Sequence, residues 1–496
     1  MISTSVAAAA GALGATVHGS GDTSAAVTSV VVDSRAVAPG ALFVALVGER
    51  VDGHDYLPTA FGQGAVAAVT SRAVPEAGGL DLVVDDAVTA LGRLARDVVD
   101  RAVAGGLRVV AITGSQGKTS TKDLLAQVLE QDGPTVAPYG NLNNEIGVPL
   151  TASRVVEETR FLVVEMGARG IGHIAYLCRV APPQVSVVLN VGSAHVGEFG
   201  GQPAIAQAKG EIVEALDTDG LAVLNADDPL VWPMRDRTTA PVLAFSVLGE
   251  PDSARAMWVT GITSDELGRC RFRLNAKEPG QPHAQADVQL RLTGRHHVVN
   301  AVAAAAAATA LGVELRAVAA ALSSAELRSS SRMEIHERTD DVVVINDAYN
   351  ANPDSARAAV ETLAELGRIR RGRQPAALTW AVLGDMLELG DVADHEHAAL
   401  GRHVAQQGID RLVVVGDFAP AMAAAATAAG LAPEHVLVVD DKSAIAQALL
   451  ADLRPGDTVL VKASRGLTLD TVAEEIWTAS PLPDRSGRAS RGEEPA

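Results

Sequence analysis

Residues 109–120, VVAITGSQGKTS, restrict what this chain can fold into more than any other stretch. An apolar, β-branched run enters a turn with glycines at 114 and 117. Lys118, Thr119 and Ser120 then open a helix, on which Leu124, Leu125, Val128 and Leu129 share one face. A continuous apolar strand followed directly by an amphipathic helix is the half-unit of a parallel sheet covered by helices. The same arrangement suits chained phosphates. Glycines let backbone N–H groups come close, the helix N-terminus adds positive potential, a lysine meets the β/γ-phosphates, and a hydroxyl can ligate Mg²⁺. Thr113, Gly114, Ser115, Gln116, Gly117, Lys118, Thr119 and Ser120 are therefore expected to cradle a polyphosphate. The strict G-x-x-x-x-G-K-[ST] spacing is not met, because Ile112 stands where the first glycine belongs.

Similar strand-then-helix stretches run through the rest of the chain, which reads as α/β with mainly parallel sheets. At 496 residues it is too long for one core, and about two to four domains are expected. We expect three. A smaller α/β N-terminal domain covers 1–104, with strands at 29–33, 42–46, 65–69 and 81–85. It closes on a helix near 88–103 that carries Val88, Leu91, Leu94, Val98 and Ala102 on one face. A central domain of the phosphate-loop ATPase type covers 107–325, with a mainly parallel sheet from strands at 108–112, 161–165, 185–191 and 221–225. A Rossmann-like C-terminal domain covers 330–480, with strands at 342–346, 378–383, 412–415, 436–439 and 458–462. Residues 481–496 lack apolar periodicity and are expected to be disordered.

Composition narrows the function. A net charge of −19 argues against a nucleic-acid partner, whose phosphates require basic surface. Anionic small molecules remain possible through local N–H groups and a few cations. Cys178 and Cys270 match no metal spacing and read as inert thiols in a reducing compartment. The apolar N-terminus has no basic residue before its apolar run, so no signal peptide is expected. The Ala-rich run 301–310 is too short to span a bilayer. A cytoplasmic protein without membrane insertion is the expectation, and a monomer.

Further candidates sit at strand ends. Glu165 closes the apolar run 161–164, where a carboxylate beside a phosphate loop reads as a Mg²⁺ ligand and one standing alone is simply solvated. His195, in LNVGSAHVGEFG, either caps its own loop or joins ligands at the carboxyl edge of the sheet. Lys209, in QAKGEIV, is a cation with no lone pair for a metal, and its residue type alone suggests a surface charge. Asp347, Tyr349, Asn350 and Asn352 crowd the end of a strand before Pro353, which fits either ribose and phosphate contacts or an Asx-rich turn. Lys462, Ser464 and Arg465 form a similar group. Ser34 and Arg35 end a strand of the first domain, where an arginine could fork onto a pyrophosphate.

Taken together, these segments resemble one family along roughly 30–475. DSRAVAPGALFVALVGERVDGHDY, TGSQGKTSTKD, GNLNNEIGVPLT, VVEMGARGIGHI, LNVGSAHVGEFG, AKGEI, GRHHVVNAVAAA, DAYNANPDS, LGDMLELG and VKASRG are similar to the Mur ligases. The resemblance implies an ATP- and Mg²⁺-dependent amide-forming ligase. Its implied substrates are a UDP-N-acetylmuramoyl-tripeptide and D-alanyl-D-alanine, used in building the peptidoglycan precursor. It implies that Ser34 and Arg35 hold the UDP moiety, and that Lys118 and Thr119 meet ATP and Mg²⁺. It makes Glu165 and His195 metal ligands, Lys209 a carbamylated lysine, and Asn143 and Asn144 substrate-loop residues. It places Asn300, Arg332 and Asp347 at the nucleotide, with Tyr349 and Asn350 nearby. The chain departs from the family pattern at His297, where Asn is usual, at Ala463, where Gly is usual, and at Asn346, where Asp is usual. Two rivals are a sister ligase adding another amino acid and a nucleotide-driven switch without ligase chemistry. The D-N-P-R stretch expected of the diamino-acid ligase is lacking.

Overall fold

The computed structural model describes residues 1–48, 50–192 and 201–482. Two compact units emerge: Met1–Ser264 with Arg269–Ser329, and Asp265–Gly268 with the chain from Ser330 onward. His195 and the tail from 483 lie outside the described residues.

Among the described residues, the first unit holds two larger sheets and a two-stranded antiparallel pair of Thr4–Ser5 with Ala26–Val27. The N-terminal sheet comprises β1 (Thr16–Gly19), β2 (Ser29–Val31), β3 (Ala41–Val44), β4 (Ala67–Thr70) and β5 (Leu80–Val83), in the order β1-β5-β4-β3-β2. All neighbours are parallel except β1 with β5. Helix α1 (Ala87–Ala104) follows, capped by Asp86, whose side chain accepts the Thr89 N–H. Its apolar stripe serves two cores. Leu91 and Leu94 pack into the N-terminal core, whereas Ala95, Val98 and Val99 pack into the next one. The helix expected to close the first domain therefore also carries part of the second, which accounts for the two sheets forming one unit.

The larger sheet comprises β6 (Arg108–Thr113), β7 (Thr135–Val136), β8 (Phe161–Glu165), β9 (Val185–Val188), β10 (Leu221–Asn225), β11 (Val242–Ser246), β12 (Ala256–Ser264), β13 (Arg269–Lys277) and β14 (Ala284–Thr293). The order is β14-β13-β12-β11-β10-β9-β6-β8-β7, parallel from β7 to β12 and antiparallel beyond. Phe161–Glu165 is buried along its whole length, as a strand covered on both faces must be. Helices α2 (Lys118–Glu130), α3 (Gly147–Ala152), α4 (His173–Val180), α5 (Gln202–Glu214) and α6 (His296–Ala310) cover the sheet. Ala301–Ala308 of α6 are all fully buried, and their small side chains let α6 lie close against α2.

The second unit has one six-stranded sheet: β15 (Glu334–Glu337), β16 (Val343–Asn346), β17 (Thr379–Gly384), β18 (Arg411–Val415), β19 (Val436–Val439) and β20 (Thr458–Lys462). The order is β15-β16-β20-β17-β18-β19, and only β15 pairs antiparallel. The mixed α/β fold with mostly parallel sheets agrees with expectation. Among the described residues, no helix is long and apolar enough to cross a membrane.

Candidate active site

The phosphate loop lies at the carboxyl end of β6. Gly117 takes φ +80°, a left-handed conformation that disfavours any side chain, and a Cβ there would run into the Asn300 carboxamide. This close approach brings Asn300 of α6 to the loop, where its Oδ1 accepts from Thr121 at 3.3 Å. Lys118 Nζ donates to the Gly114 carbonyl at 2.7 Å, curling back over the turn. The Thr113 hydroxyl is committed to structure, donating to the Met166 carbonyl at 2.8 Å. Ser115 and Gln116 direct their backbone N–H groups at Asn190 Oδ1, at 2.9 and 3.0 Å.

Asn190 was not among the expected site residues. The strand expected over 185–191 stops at Val188 because Asn190 turns to hold the phosphate loop with its carboxamide and its carbonyl, which accepts from Ser115 at 3.1 Å. Its signal was the polar residue placed directly behind the apolar run VSVVL.

Glu165 ends β8 one strand away and is 1% exposed. Thr119 Oγ1 donates to its Oε2 at 2.8 Å, and Asn143 Nδ2 donates to its Oε1 at 2.7 Å. The structure thus joins Thr119, Glu165 and Asn143 into one polar cluster beside the loop. Asn144 Oδ1 instead accepts the backbone N–H groups of Ile146 and Gly147, at 3.3 and 2.8 Å, and holds the turn that leads into α3. Lys122, also not anticipated, is buried, pairs with Asp123 and donates to the Pro138 carbonyl at 3.0 Å. It fixes the start of the segment that carries Asn143.

Lys209 on α5 is 6% exposed, not the surface charge its residue type suggested. Burial, and then the Lys118 ammonium, hold its pKa well below the usual lysine range. A charged amine there would meet another cation in a dry setting, so the neutral form is favoured. His297 is buried too, and burial followed by His296 lowers its pKa.

Ser34 and Arg35 lie beyond β2 on the N-terminal sheet, in the turn Ser34–Ala36. Asp33 accepts from Arg35 Nε at 3.0 Å and Nη2 at 2.7 Å. That side-chain pairing, with the Arg35 backbone N–H, lowers the Asp33 pKa to about 2.

Arg332, Asp347, Tyr349 and Asn350 gather within the second unit. Lys462 Nζ donates to Asp347 Oδ2 at 2.6 Å and to the Asn350 carbonyl at 3.0 Å. The Arg332 guanidinium stacks 4.2 Å above the Tyr349 ring, a cation–π contact.

Glu165 and Thr119 present the hard oxygen donors that Mg²⁺ selects. Among the described residues no three His, Cys, Asp or Glu side chains gather around one metal position.

A phosphate-loop α/β core with an acidic strand end defines a nucleotide-phosphate-binding architecture, and the comparisons place it in a ligase family. The Mur ligase middle domain matches residues 112–308, the Mur ligase glutamate ligase domain 331–465, and the Mur ligase family catalytic domain 26–98. The chain belongs to the Mur ligase family. Within it, the UDP-N-acetylmuramoyl-tripeptide–D-alanyl-D-alanine ligase of Mycobacterium tuberculosis is 43% identical, over 90% of this chain and 92% of that protein. The ligase of the same name from Escherichia coli is 35% identical, over 90% and 93%. Among solved structures, MurF from Acinetobacter baumannii superposes with a TM-score of 0.83 at 30% identity, covering 96% of this chain and 99% of that one. MurF from Thermotoga maritima in complex with ADP gives 0.76 at 28%, covering 91% and 97%.

Proposed function

We propose that this chain joins D-alanyl-D-alanine to the terminal carboxylate of a UDP-N-acetylmuramoyl-tripeptide at the expense of ATP. The observation that carries the reading is the cluster of Thr119, Glu165 and Asn143 beside the loop of Lys118, in a chain 43% identical over 90% of its length to a ligase of that name. A carboxylate oxygen of the tripeptide attacks the γ-phosphorus, and the bond to ADP breaks. The dipeptide amine then attacks the acyl phosphate, loses a proton, and expels phosphate as the amide forms.

The loop N–H groups and Lys118 hold the transferring phosphoryl group and neutralise its charge. Thr119 and Glu165, with His195, would hold Mg²⁺, which supplies further neutralisation of the phosphates. Lys209 is proposed to add CO₂ at its amine, giving a carbamate whose oxygens serve where an ammonium cannot. The neutral amine that this addition requires is the form its burial favours. Asn143 and Asn144 would contact the muramoyl peptide. Ser34 and Arg35 would take the UDP group within a domain over 1–104, and 107–325 would bind ATP. The region 330–480 would contact nucleotide through Arg332 and Asp347 and bind substrate through Tyr349 and Asn350, including the dipeptide. A cytoplasmic monomer fits the soluble substrates.

The test supplies purified protein with ATP, Mg²⁺, UDP-muramoyl-tripeptide and D-alanyl-D-alanine, alone and together. ADP release requiring both peptide substrates, with a UDP-pentapeptide product by mass, is the expected result. ADP release indifferent to the peptides would make the chain a nucleotide switch. Release supported by a single amino acid in place of the dipeptide would make it a sister ligase.

A further inference from the structure

Two aspartate-held arginines, not one, occupy the carboxyl edge of the N-terminal sheet. Strands β2, β3 and β4 are parallel neighbours, so the segments that leave them emerge on one edge. Ser34 and Arg35 leave β2, Asp52 and His54 follow β3, and Ser71 and Arg72 leave β4. In open α/β sheets this is the edge at which ligands bind. Each arginine is held by an aspartate: Arg35 by Asp33 at 2.7 Å and Arg72 by Asp52 at 3.3 Å.

The second pair has a dedicated support. His54 is 3% exposed. Its Nδ1 lies 2.5 Å from Asp52 Oδ1, and its Nε2 accepts the Ser71 backbone N–H at 3.0 Å. Because Nε2 is an acceptor, Nδ1 carries the proton and donates to Asp52. One buried imidazole thereby ties the end of β3 to the end of β4 and fixes both members of the Asp52–Arg72 pair. An ordinary surface ion pair has no such support and contributes little to stability. Arg72 remains 57% exposed, and the contacts to Asp52 leave part of its fork available.

We propose that Arg72 is a second guanidinium for the diphosphate of the UDP substrate, straddling it with Arg35, and that Asp52, His54 and Ser71 position it. The inference rests on the ligase reading above. Strand spacing puts the ends of β2 and β4 about 10 Å apart, a gap that two arginine side chains span with a diphosphate between them. Two forks can satisfy the diphosphate oxygens more fully than one.

The experiment measures binding of UDP by calorimetry and of uridine by ligand-observed NMR, to the parent and to Arg72→Ala. The parent should bind UDP, and Arg72→Ala should weaken UDP about tenfold or more while uridine binding stays unchanged. Arg72→Lys should recover part of the loss, as a point charge without the fork. UDP binding by Arg72→Ala equal to the parent overturns the inference and leaves the ligase reading standing. An equal loss for uridine and UDP also overturns it, because the residue would then shape the site without meeting phosphate. A parent that binds no UDP overturns the reading and the inference together.

Discussion

Glu165 illustrates how much of a site a single residue type conceals. A carboxylate at a strand end is common. This one is buried, with one oxygen held by a hydroxyl from the phosphate-loop helix and the other by a side-chain amide. Its position at the end of β8 and its place beside the phosphate loop were legible, whereas its bond to Asn143, 22 positions away, was not. Lys209 was the opposite case. Nothing in QAKGEIV announces burial, and only the packing of α5 shows that its amine is withdrawn from water near Lys118. If the amine is carbamylated, Lys209→Arg should lower kcat by on the order of a hundredfold, with the fold unchanged. A guanidinium keeps its charge and cannot become an equivalent anionic ligand. Near-parental turnover in Lys209→Arg would mean that the residue acts as a simple cation.

At the level of elements, strands that are continuously apolar in sequence were readable and those that alternate apolar with polar residues were not. The expected strands at 161–165, 221–225, 436–439 and 458–462 coincide with β8, β10, β19 and β20. The antiparallel extension β12–β14 escaped notice because its residues alternate between core and solvent, with Arg269, Arg271 and Arg273 interrupting the apolar signal along β13. Helix α5 shows why a short motif can be structural and chemical at once. Gly210, next to Lys209, has no Cβ because the Arg237 guanidinium lies across it, bonded to the carbonyls of Ala206 and Gln207. Glu211, next again, is 5% exposed and accepts the backbone N–H groups of Gly172 and Ala175 at 2.6 and 2.9 Å, at the positive end of α4. Glu211→Ala strands both donors and removes the compensating charge. It should cost about 2–3 kcal/mol, seen as a lower midpoint of chemical unfolding, with Glu211→Gln recovering part of it. An unchanged midpoint would show that water replaces the carboxylate without penalty.

On the scale of the whole molecule, α1 contributes to the cores of both the five-stranded and the nine-stranded sheet of the first unit, whose carboxyl edges serve different chemistry under the proposed function. Arg35 stands on the edge of the smaller sheet and Lys118 on that of the larger. Under the proposed function Arg35 meets only the UDP group, far along the substrate from the carboxylate that reacts. Its side chain is 89% exposed, so removing it opens no cavity and leaves Asp33 solvated. Arg35→Ala should therefore unfold at the parental temperature. The lost charge-assisted hydrogen bonds should reduce kcat/KM for the UDP-tripeptide about tenfold or more. Distant sites with no shared partners act independently, so the KM for ATP should stay within about twofold of the parent. Steady-state kinetics with each substrate varied in turn distinguish the outcomes. A rise in the ATP KM matching that for the UDP-tripeptide would show that the two edges form one coupled site, and that binding at the smaller sheet is felt at the phosphate loop.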